Sequence, residues 1–360
     1  MNVTKKVAIV HYWLLGMRGG ERVLERLCKL CPGADIFSLF YDPAKVSETI
    51  RSRRVTPSFL NPLRKWYRSL LPLMPMALES FDLRGYDLII SSESGPAKGV
   101  ITSAGTRHVC YCHTPMRYLW DLYPDYLHEW TRSRIKRAAM APLANYLRLW
   151  DFASASRVDD FVANSENVKR RIWKTYRRDA EVIYPPVAVD GFRTEPPEDY
   201  FLIVSELVAY KRVNLAVQTF SKNGRKLKIV GDGPEFSRLR KSAAGNIEFC
   251  GRVPDEELRR LYARCRAFVM PGEEDFGIAT VEAIASGKAV IAFGRGGVLE
   301  IAPEEGRFLF ESADPNAIEA AIREFEAAEK NVPAERLREA AKKFSEEEFD
   351  RKMRLVLYRE

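Results

Sequence analysis

The chain has 360 residues, 46% apolar and 29% charged, with a formal net charge of +8, and its length exceeds the usual size of one hydrophobic core, so two domains are expected. No run of about 18 apolar residues is present to span a bilayer, Val7 to Val10 is too short for the apolar part of a signal peptide, and six scattered cysteines fit a reducing compartment better than a disulfide scaffold. The charge is lopsided: residues 1–190 hold 29 Lys/Arg against 19 Asp/Glu and the remainder 28 against 30, so the first half calls for an anionic partner.

Val7 to Val10 reads as a first strand, followed by a turn containing Gly19 and Gly20 and a helix from about Gly20 to Leu30. Paired glycines there let a ligand approach the backbone at a helix start that favours an anion; ordinary turn use is the alternative. The spacing is neither G-x-G-x-x-G nor a Walker loop. Cys28-x-x-Cys31 closes the helix without a second pair to complete a zinc site. Beyond strand Ile36 to Phe40, the stretch Arg51 to Met76 has six basic residues and no acid. In a helix from Pro62, Leu63, Trp66, Tyr67 and Leu70 would share a face flanked by Arg64, Lys65 and Arg68. That is the build of a helix lying on an anionic membrane surface, or of one packed on its own domain with a solvated basic side. A second stretch, His128 to Trp150, sets Arg132, Arg134, Lys136, Arg137 and Arg148 among Trp130, Ile135, Met140, Leu143 and Leu147. Two such neighbours favour the membrane surface. No recognition-helix, RRM, KH or zinc pattern accompanies the basic excess, so nucleic acid is not an expected partner.

Asp87 to Ser91 and His108 to Cys112 read as buried strands. The second ends at His113, where ligands of a parallel sheet bind and an imidazole can donate to a phosphate or sugar oxygen. A histidine satisfying local backbone is the plainer account. Strand Phe161 to Ser165 leads into a helix capped by Ser165 or Asn167, and Val182 to Pro186 closes the first domain. Asp190 to Asp199, rich in Glu, Asp and Pro, marks the boundary. The second domain then offers strands Phe201 to Ser205, Lys226 to Val230, Ile247 to Cys250, Ala267 to Met270 and Ala289 to Ala292. Two glycine turns, at Gly231 to Pro234 and Gly294 to Val298, lie at strand ends, and the amides of the second are placed to cradle phosphate. A charged helical tail, Ala334 to Tyr358, is suited to brace the first domain.

The chemistry concentrates in Pro271 to Ile291: strand end, acidic loop, apolar helix, next strand. Glu274 lies just before the helix, where a carboxylate also suits the helix dipole. Glu282 lies two turns inside it, between Val281 and Ala283, and a charge there must be paired or hydrogen-bonded. Hydroxyl groups of a ligand would serve.

Glu274-x7-Glu282 within Glu-x-Phe-Gly and Glu-Ala-x-Ala-x-Gly, together with Gly19-Gly20-Glu21-Arg22, Tyr111 to Tyr118, Tyr184 to Val187, Tyr210-Lys211-Arg212 and Gly231-Asp232-Gly233-Pro234, resembles the retaining GT-B glycosyltransferases of family 4 over nearly the full chain. Among them it is similar to GDP-mannose-dependent mannosyltransferases of lipid-linked glycan and O-antigen synthesis. The resemblance implies an α/β protein of two Rossmann-like domains facing across a cleft. Residues 1–190 would bind the acceptor and carry the membrane-surface segments, 191–340 would bind the nucleotide sugar, and 341–360 would form a helix packing back on the first domain. It implies that Glu274 holds donor hexose hydroxyls and Glu282 the ribose hydroxyls. Lys211 meets the diphosphate with the amides near Phe276, Gly277 and Ile278. Gly19 and Gly20 lie against donor phosphate or acceptor, His113 bonds the transferring sugar, and the base rests near Arg252 and Val253. One departure stands out. Glu206 occupies a position where the family usually has Arg, and a carboxylate beside a diphosphate repels it unless turned away or paired; Arg212 or Arg295 is the candidate replacement.

The implied reaction moves mannose from GDP-mannose to a lipid-linked glycan or glycolipid with retention, without a cofactor or divalent metal, by front-face transfer on the inner, cytoplasmic face of a membrane. A UDP-sugar-dependent glucosyl- or N-acetylglucosaminyltransferase, or a weakly active or non-catalytic sugar-nucleotide-binding protein, is the alternative.

Overall fold

The computed structural model describes residues 5–124, 127 and 134–359, and of residues 134–139 the backbone alone. The chain divides into two compact units, Met1–Tyr184 with Asp350–Glu360, and Pro185–Phe349.

The first unit is built on seven parallel strands: β1 (Val7–Leu14), β2 (Asp35–Tyr41), β3 (Val55–Pro57), β4 (Leu88–Glu93), β5 (Arg107–Cys112), β6 (Asp160–Ala163) and β7 (Glu181–Val182), in the order β3-β2-β1-β4-β5-β6-β7. Apolar runs such as Val7-Ala8-Ile9-Val10, buried throughout, are what a parallel sheet covered on both faces requires. β1 runs four residues past that apolar run. Its ladder with β2 continues through His11, Trp13 and Leu14, opposite Ser38, Phe40 and Tyr41. Aromatic side chains suit the pleated, covered surface, so the strand ends only where the ladder does. Strand order reverses between β1 and β4, and the crevice beyond their carboxyl ends is where such sheets bind ligands.

The stretch Asn61–Leu73 differs from the amphipathic α-helix expected there. It is a run of 3-10 turns, broken by non-helical backbone at Leu63 and Trp66 and closed by Pro72. A 3-10 turn brings residues i and i+3 to one side, so Tyr67 and Leu70 pack with Leu71 on the core of the first unit. Leu63 and Trp66 turn outward instead, 43% and 62% exposed.

A buried ionic cluster fastens the end of β4. The Lys98 ammonium is fully buried between Asp151, which it contacts directly, and Glu93 at 3.5 Å. Asp151 also accepts hydrogen bonds from Trp120 Nε1 at 2.7 Å and the Tyr176 hydroxyl at 2.9 Å. Strand β4, the helix Arg134–Ser154 and the helix Glu166–Tyr176 thereby meet at one charge. Burial pushes the Glu93 carboxyl up to about 7, against the pull of Lys98. The last residues of the chain close the same unit: Asp350 takes a bidentate pair from Arg26 at 2.6 and 2.7 Å, and Arg359 reaches Glu181 at 3.0 Å.

The second unit has six parallel strands, β8 (Phe201–Val204), β9 (Leu227–Val230), β10 (Ile247–Gly251), β11 (Ala267–Met270), β12 (Ala289–Phe293) and β13 (Arg307–Phe310), in the order β10-β9-β8-β11-β12-β13. Its order reverses between β8 and β11. Helices Val213–Asn223 and Pro315–Ala328 cover the sheet through Val217, Phe220, Ile322 and Phe325. Two doubly wound parallel α/β units are the expected fold class. Among the described residues, no helix is long and apolar enough to cross a membrane.

Removing the cation of the buried cluster leaves two carboxylates facing each other, so Lys98→Met should lower unfolding stability by about 3–5 kcal/mol in urea titrations. Because the folded-state pKa of Glu93 is raised, its carboxyl favours folding at low pH. That contribution fades as pH rises from the ordinary carboxylate range through about 7. Glu93→Gln should therefore flatten the fall in stability between pH 5 and pH 8, read from urea midpoints at each pH.

Candidate functional site

In the second unit, β8 ends at Val204, and the chain passes Ser205 and Glu206 and a single 3-10 turn, Ala209–Lys211, into the helix Val213–Asn223. Beside it, β11 ends at Met270 and passes through Pro271 to Gly277 into the helix Ile278–Ala285. The sheet order thus brings Lys211 to Glu274, and the ammonium contacts the carboxylate directly. Burial pulls the Lys211 pKa down, but Glu274, with lesser help from Tyr210 and Asp275, outweighs it and holds the ammonium above its ordinary range.

Glycines make this approach possible. A Cβ on Gly272 would sit 2.7 Å from the Lys211 carbonyl oxygen, one on Gly296 2.2 Å from that of Glu274, and one on Gly297 2.1 Å from that of Phe276. Backbone packs on backbone there. The Gly297 amide donates to the Glu274 carbonyl at 2.9 Å, and the amides of Gly294 and Arg295 to Phe310 and Phe293. Three amides of the second glycine turn are thus engaged within the protein, and through Gly297 the turn clamps the acidic loop. Gly277, at φ 109°, opens the helix with a backbone that favours glycine, while Phe276 is buried against Phe344.

Glu282 is buried at 6% exposure inside that helix. Arg212 adopts a left-handed backbone at φ 53°, its guanidinium lying over the Phe293 ring at 5.2 Å, with that of Arg295 over the same ring at 5.3 Å. Glu206 is half-buried, and its carbonyl accepts from the Val208 amide at 3.0 Å. Arg252 and Val253 follow β10 on a loop tied to the first glycine turn through Gly231 N–H to Gly251 O, 2.7 Å.

In the first unit, His113 and the glycine pair come together at the crevice beside β1 and β4. The helix Gly19–Leu30 begins at the pair, and a Cβ on Gly20 would lie 3.6 Å from His113 Nε2 and from the Tyr12 hydroxyl, an ordinary contact. His113 Nε2 pairs with Ser92 Oγ at 3.0 Å, and its amide donates to the Glu93 carbonyl at 2.6 Å. His11, fully buried, joins this cluster; neither ring nitrogen reaches a hydrogen-bond partner, although the Ser92 backbone lies close. Burial lowers His11 to about 3, with His113 adding to the effect, and lowers His113 to about 4. Both rings are neutral at physiological pH. Sequence reasoning missed His11, Tyr12 and Ser92, because β1 was taken to stop at Val10; the signal was the aromatic continuation Tyr12-Trp13.

Arg64 is half-buried, Lys65, Trp66 and Arg68 are exposed, and all four lie together on the 3-10 stretch. Arg134, Lys136 and Arg137 fall on the helix Arg134–Ser154, but their side chains lie outside those described, as do residues 128–133 altogether. Among the described residues, no group of three or more His, Cys, Asp or Glu side chains is arranged to hold a metal ion.

Two family descriptions match adjoining stretches that together cover residues 17–344: Glycosyltransferase Family 4 over residues 17–190 and Glycosyl transferases group 1 over 191–344. The chain belongs to the glycosyltransferases. This glycosyltransferase is 28% identical over 195 residues, 52% of its length, to the uncharacterized glycosyltransferase MJ1178 of Methanocaldococcus jannaschii. It is 30% identical over 184 residues, 49% of its length, to the sulfoquinovosyl transferase SQD2 of Arabidopsis thaliana. The matched stretches span 56% and 32% of those relatives. Among solved structures it is similar to Anabaena Alr3699/HepE in complex with UDP and glucose, with a TM-score of 0.70 at 16% identity, covering 99% of this chain and 100% of that one. The same Anabaena protein is also solved with UDP-glucose.

These likenesses correct the donor. The resemblance to GDP-mannose-dependent mannosyltransferases implied GDP-mannose, whereas the similar Anabaena structures hold UDP or UDP-glucose. The motifs that carried the resemblance, Glu274 to Glu282 above all, are read as gripping sugar, ribose and phosphate, which both donors share, and contain nothing that selects guanine or mannose.

A Cβ at Gly272 meets Lys211 backbone that has no room to retreat, so Gly272→Ala should cost about 2 kcal/mol or more in urea unfolding. Gly33→Ala, where a Cβ meets nothing within 4 Å, should stay within about 0.5 kcal/mol.

Proposed function

We propose that the chain transfers a hexose from a UDP-sugar to a hydroxyl of a lipid-linked or membrane-associated glycan, with retention at the anomeric carbon. The observation that carries this is the Lys211–Glu274 contact at the carboxyl edge of β8 and β11, where the strand order reverses. The UDP complexes of a similar structure support the choice of donor.

An arriving donor would divide the pair. Its diphosphate takes Lys211 as counter-charge, with the first amides of the helix Ile278–Ala285, whose N-terminus favours an anion. Its hexose hydroxyls take Glu274, and its ribose hydroxyls take Glu282. Arg212 lies one residue from Lys211 and is the nearest replacement for the arginine that Glu206 displaces. The bond from the anomeric carbon to the diphosphate oxygen breaks as the bond to the acceptor oxygen forms, and the acceptor proton passes to the departing phosphate. A fixed ammonium aimed at the developing charge stabilises that transition state. His113, neutral, is suited to hydrogen-bond the transferring sugar without opposing the positive charge that develops on it.

The stretch from Phe59 to Met76 supports a seat on an anionic membrane: Phe59, Leu63, Trp66 and Met76 are exposed at 55%, 43%, 62% and 56%, among Arg64, Lys65 and Arg68. Apolar residues enter the head-group region while the cations meet lipid phosphate.

A thermal-shift panel should show stabilisation by UDP-sugars and none by GDP-mannose. Lys211→Ala should weaken UDP binding roughly ten- to a hundredfold by calorimetry; unchanged affinity would remove Lys211 from the site. UDP binding without transfer to any glycan acceptor would instead favour the non-catalytic reading. Trp66→Ala with Arg68→Ala should reduce co-sedimentation with phosphatidylserine-containing vesicles.

A further inference from the structure

Beside the His113 cluster, the first unit holds a cavity of about 280 Å³, and of the residues lining it only Arg64 and Lys65 have a role above, at the membrane surface. Its wall combines Trp13 and Tyr67, packed edge to face at 5.0 Å, with Arg18, Lys45, Arg64 and Lys65. Two carboxylates also line it, and both are engaged. Glu21 accepts from the Arg18 backbone amide at 3.1 Å in starting its helix, and Asp42 accepts from the Ala44 amide at 3.3 Å, with Lys45 and Arg64 only at 3.6 and 4.0 Å. Four cations thus face two carboxylates that cap chain turns. An anion entering here gains attraction from a site already carrying excess positive charge, and guanidinium and ammonium groups are the donors that phosphate favours.

We infer that this cavity binds a phosphate ester attached to the sugar of the acceptor, with Arg64 and Lys65 as its counter-charges and the Trp13–Tyr67 wall against the sugar ring. The volume of about 280 Å³ lies just below the ~300–1,000 Å³ typical of small-molecule sites, which suits a sugar phosphate rather than a nucleotide sugar. Position agrees with the use. Trp13 lies next to Tyr12 of the His113 cluster, their rings 4.4 Å apart, and Arg18 immediately precedes the glycine pair. On the outer side, Arg64 and Lys65 are flanked by exposed Leu63 and Trp66, so a lipid tail on the same phosphate has an apolar surface to follow. That the ligand is an acceptor rests on the transferase reading; that the cavity takes a sugar phosphate does not.

The test is calorimetric titration of the full chain, in vesicle-free buffer at low salt and with saturating UDP to occupy the donor site. Glucose 1-phosphate is the probe and methyl glucoside its neutral counterpart. Glucose 1-phosphate should bind and methyl glucoside should not. Binding should weaken at least tenfold in the Arg64→Glu, Lys65→Glu double variant, and likewise in Gly16→Leu. Gly16 lines the cavity, and a Cβ there meets nothing within 4 Å, so a leucine fills the space rather than straining the chain. Urea unfolding followed by circular dichroism, which loses one of two transitions or part of its amplitude if the first unit is unfolded, shows whether the variants remain folded; a variant that does not is replaced by Lys65→Gln, expected to weaken the probe severalfold. Equal binding of the charged and neutral probes, or unchanged affinity in the folded variants, overturns the inference. Failure of UDP to bind the native chain would sink the transferase reading instead, and the probe titration run without UDP would still decide the cavity.

Discussion

The second unit depends on bare backbone packed against bare backbone. Gly272 against Lys211, Gly296 against Glu274 and Gly297 against Phe276 leave no space for a side chain, and it is this closeness that lets a lysine from one loop reach a glutamate from another. An exposed ion pair would contribute little. Here the ammonium is largely out of water and the carboxylate keeps it charged. Under the proposed reaction the pair is a preorganised charge, and preorganisation is what makes electrostatic catalysis effective.

The first unit answers the same need with different chemistry. Its crevice is lined by neutral imidazoles and hydroxyls rather than by a fixed cation, since burial keeps His11 and His113 unprotonated. Charge is instead stored one layer below, in Lys98 with Glu93 and Asp151, where it fixes the end of β4 whose carbonyl holds the His113 amide. The crevice at His113 thus presents neutral hydrogen-bonding groups, whereas the loops after β8 and β11 present a fixed charge.

Much of this was legible in the residues. The alternation of short apolar runs with helical stretches marked a parallel α/β chain, because both faces of such a sheet are buried, and the interruption of strand by acidic loop and apolar helix singled out Glu274 and Glu282. What was not legible depended on contacts distant in sequence. Nothing near Lys98 says that Asp151 lies beside it, and nothing in Gly294 to Gly297 says that the Gly297 amide bonds the Glu274 carbonyl. Periodicity also misled at Leu63 and Trp66, where 3.6-residue spacing suggested one apolar face but prolines and 3-10 turns sent those side chains outward. The donor base was beyond reach for a simpler reason: the residues that gave the resemblance are assigned to the parts of a nucleotide sugar that do not vary.

The pair between Arg26 and Asp350 has a consequence for synthesis. These residues stand 324 positions apart, and the eleven-residue stretch that includes Asp350 belongs to the first unit although all of the second intervenes. A ribosome adding roughly 5–20 residues per second finishes Tyr184 and then takes on the order of ten to thirty seconds to deliver Asp350. During that interval the first half of the polypeptide must wait, its Arg26 not yet joined to Asp350, while the later half is made and folds.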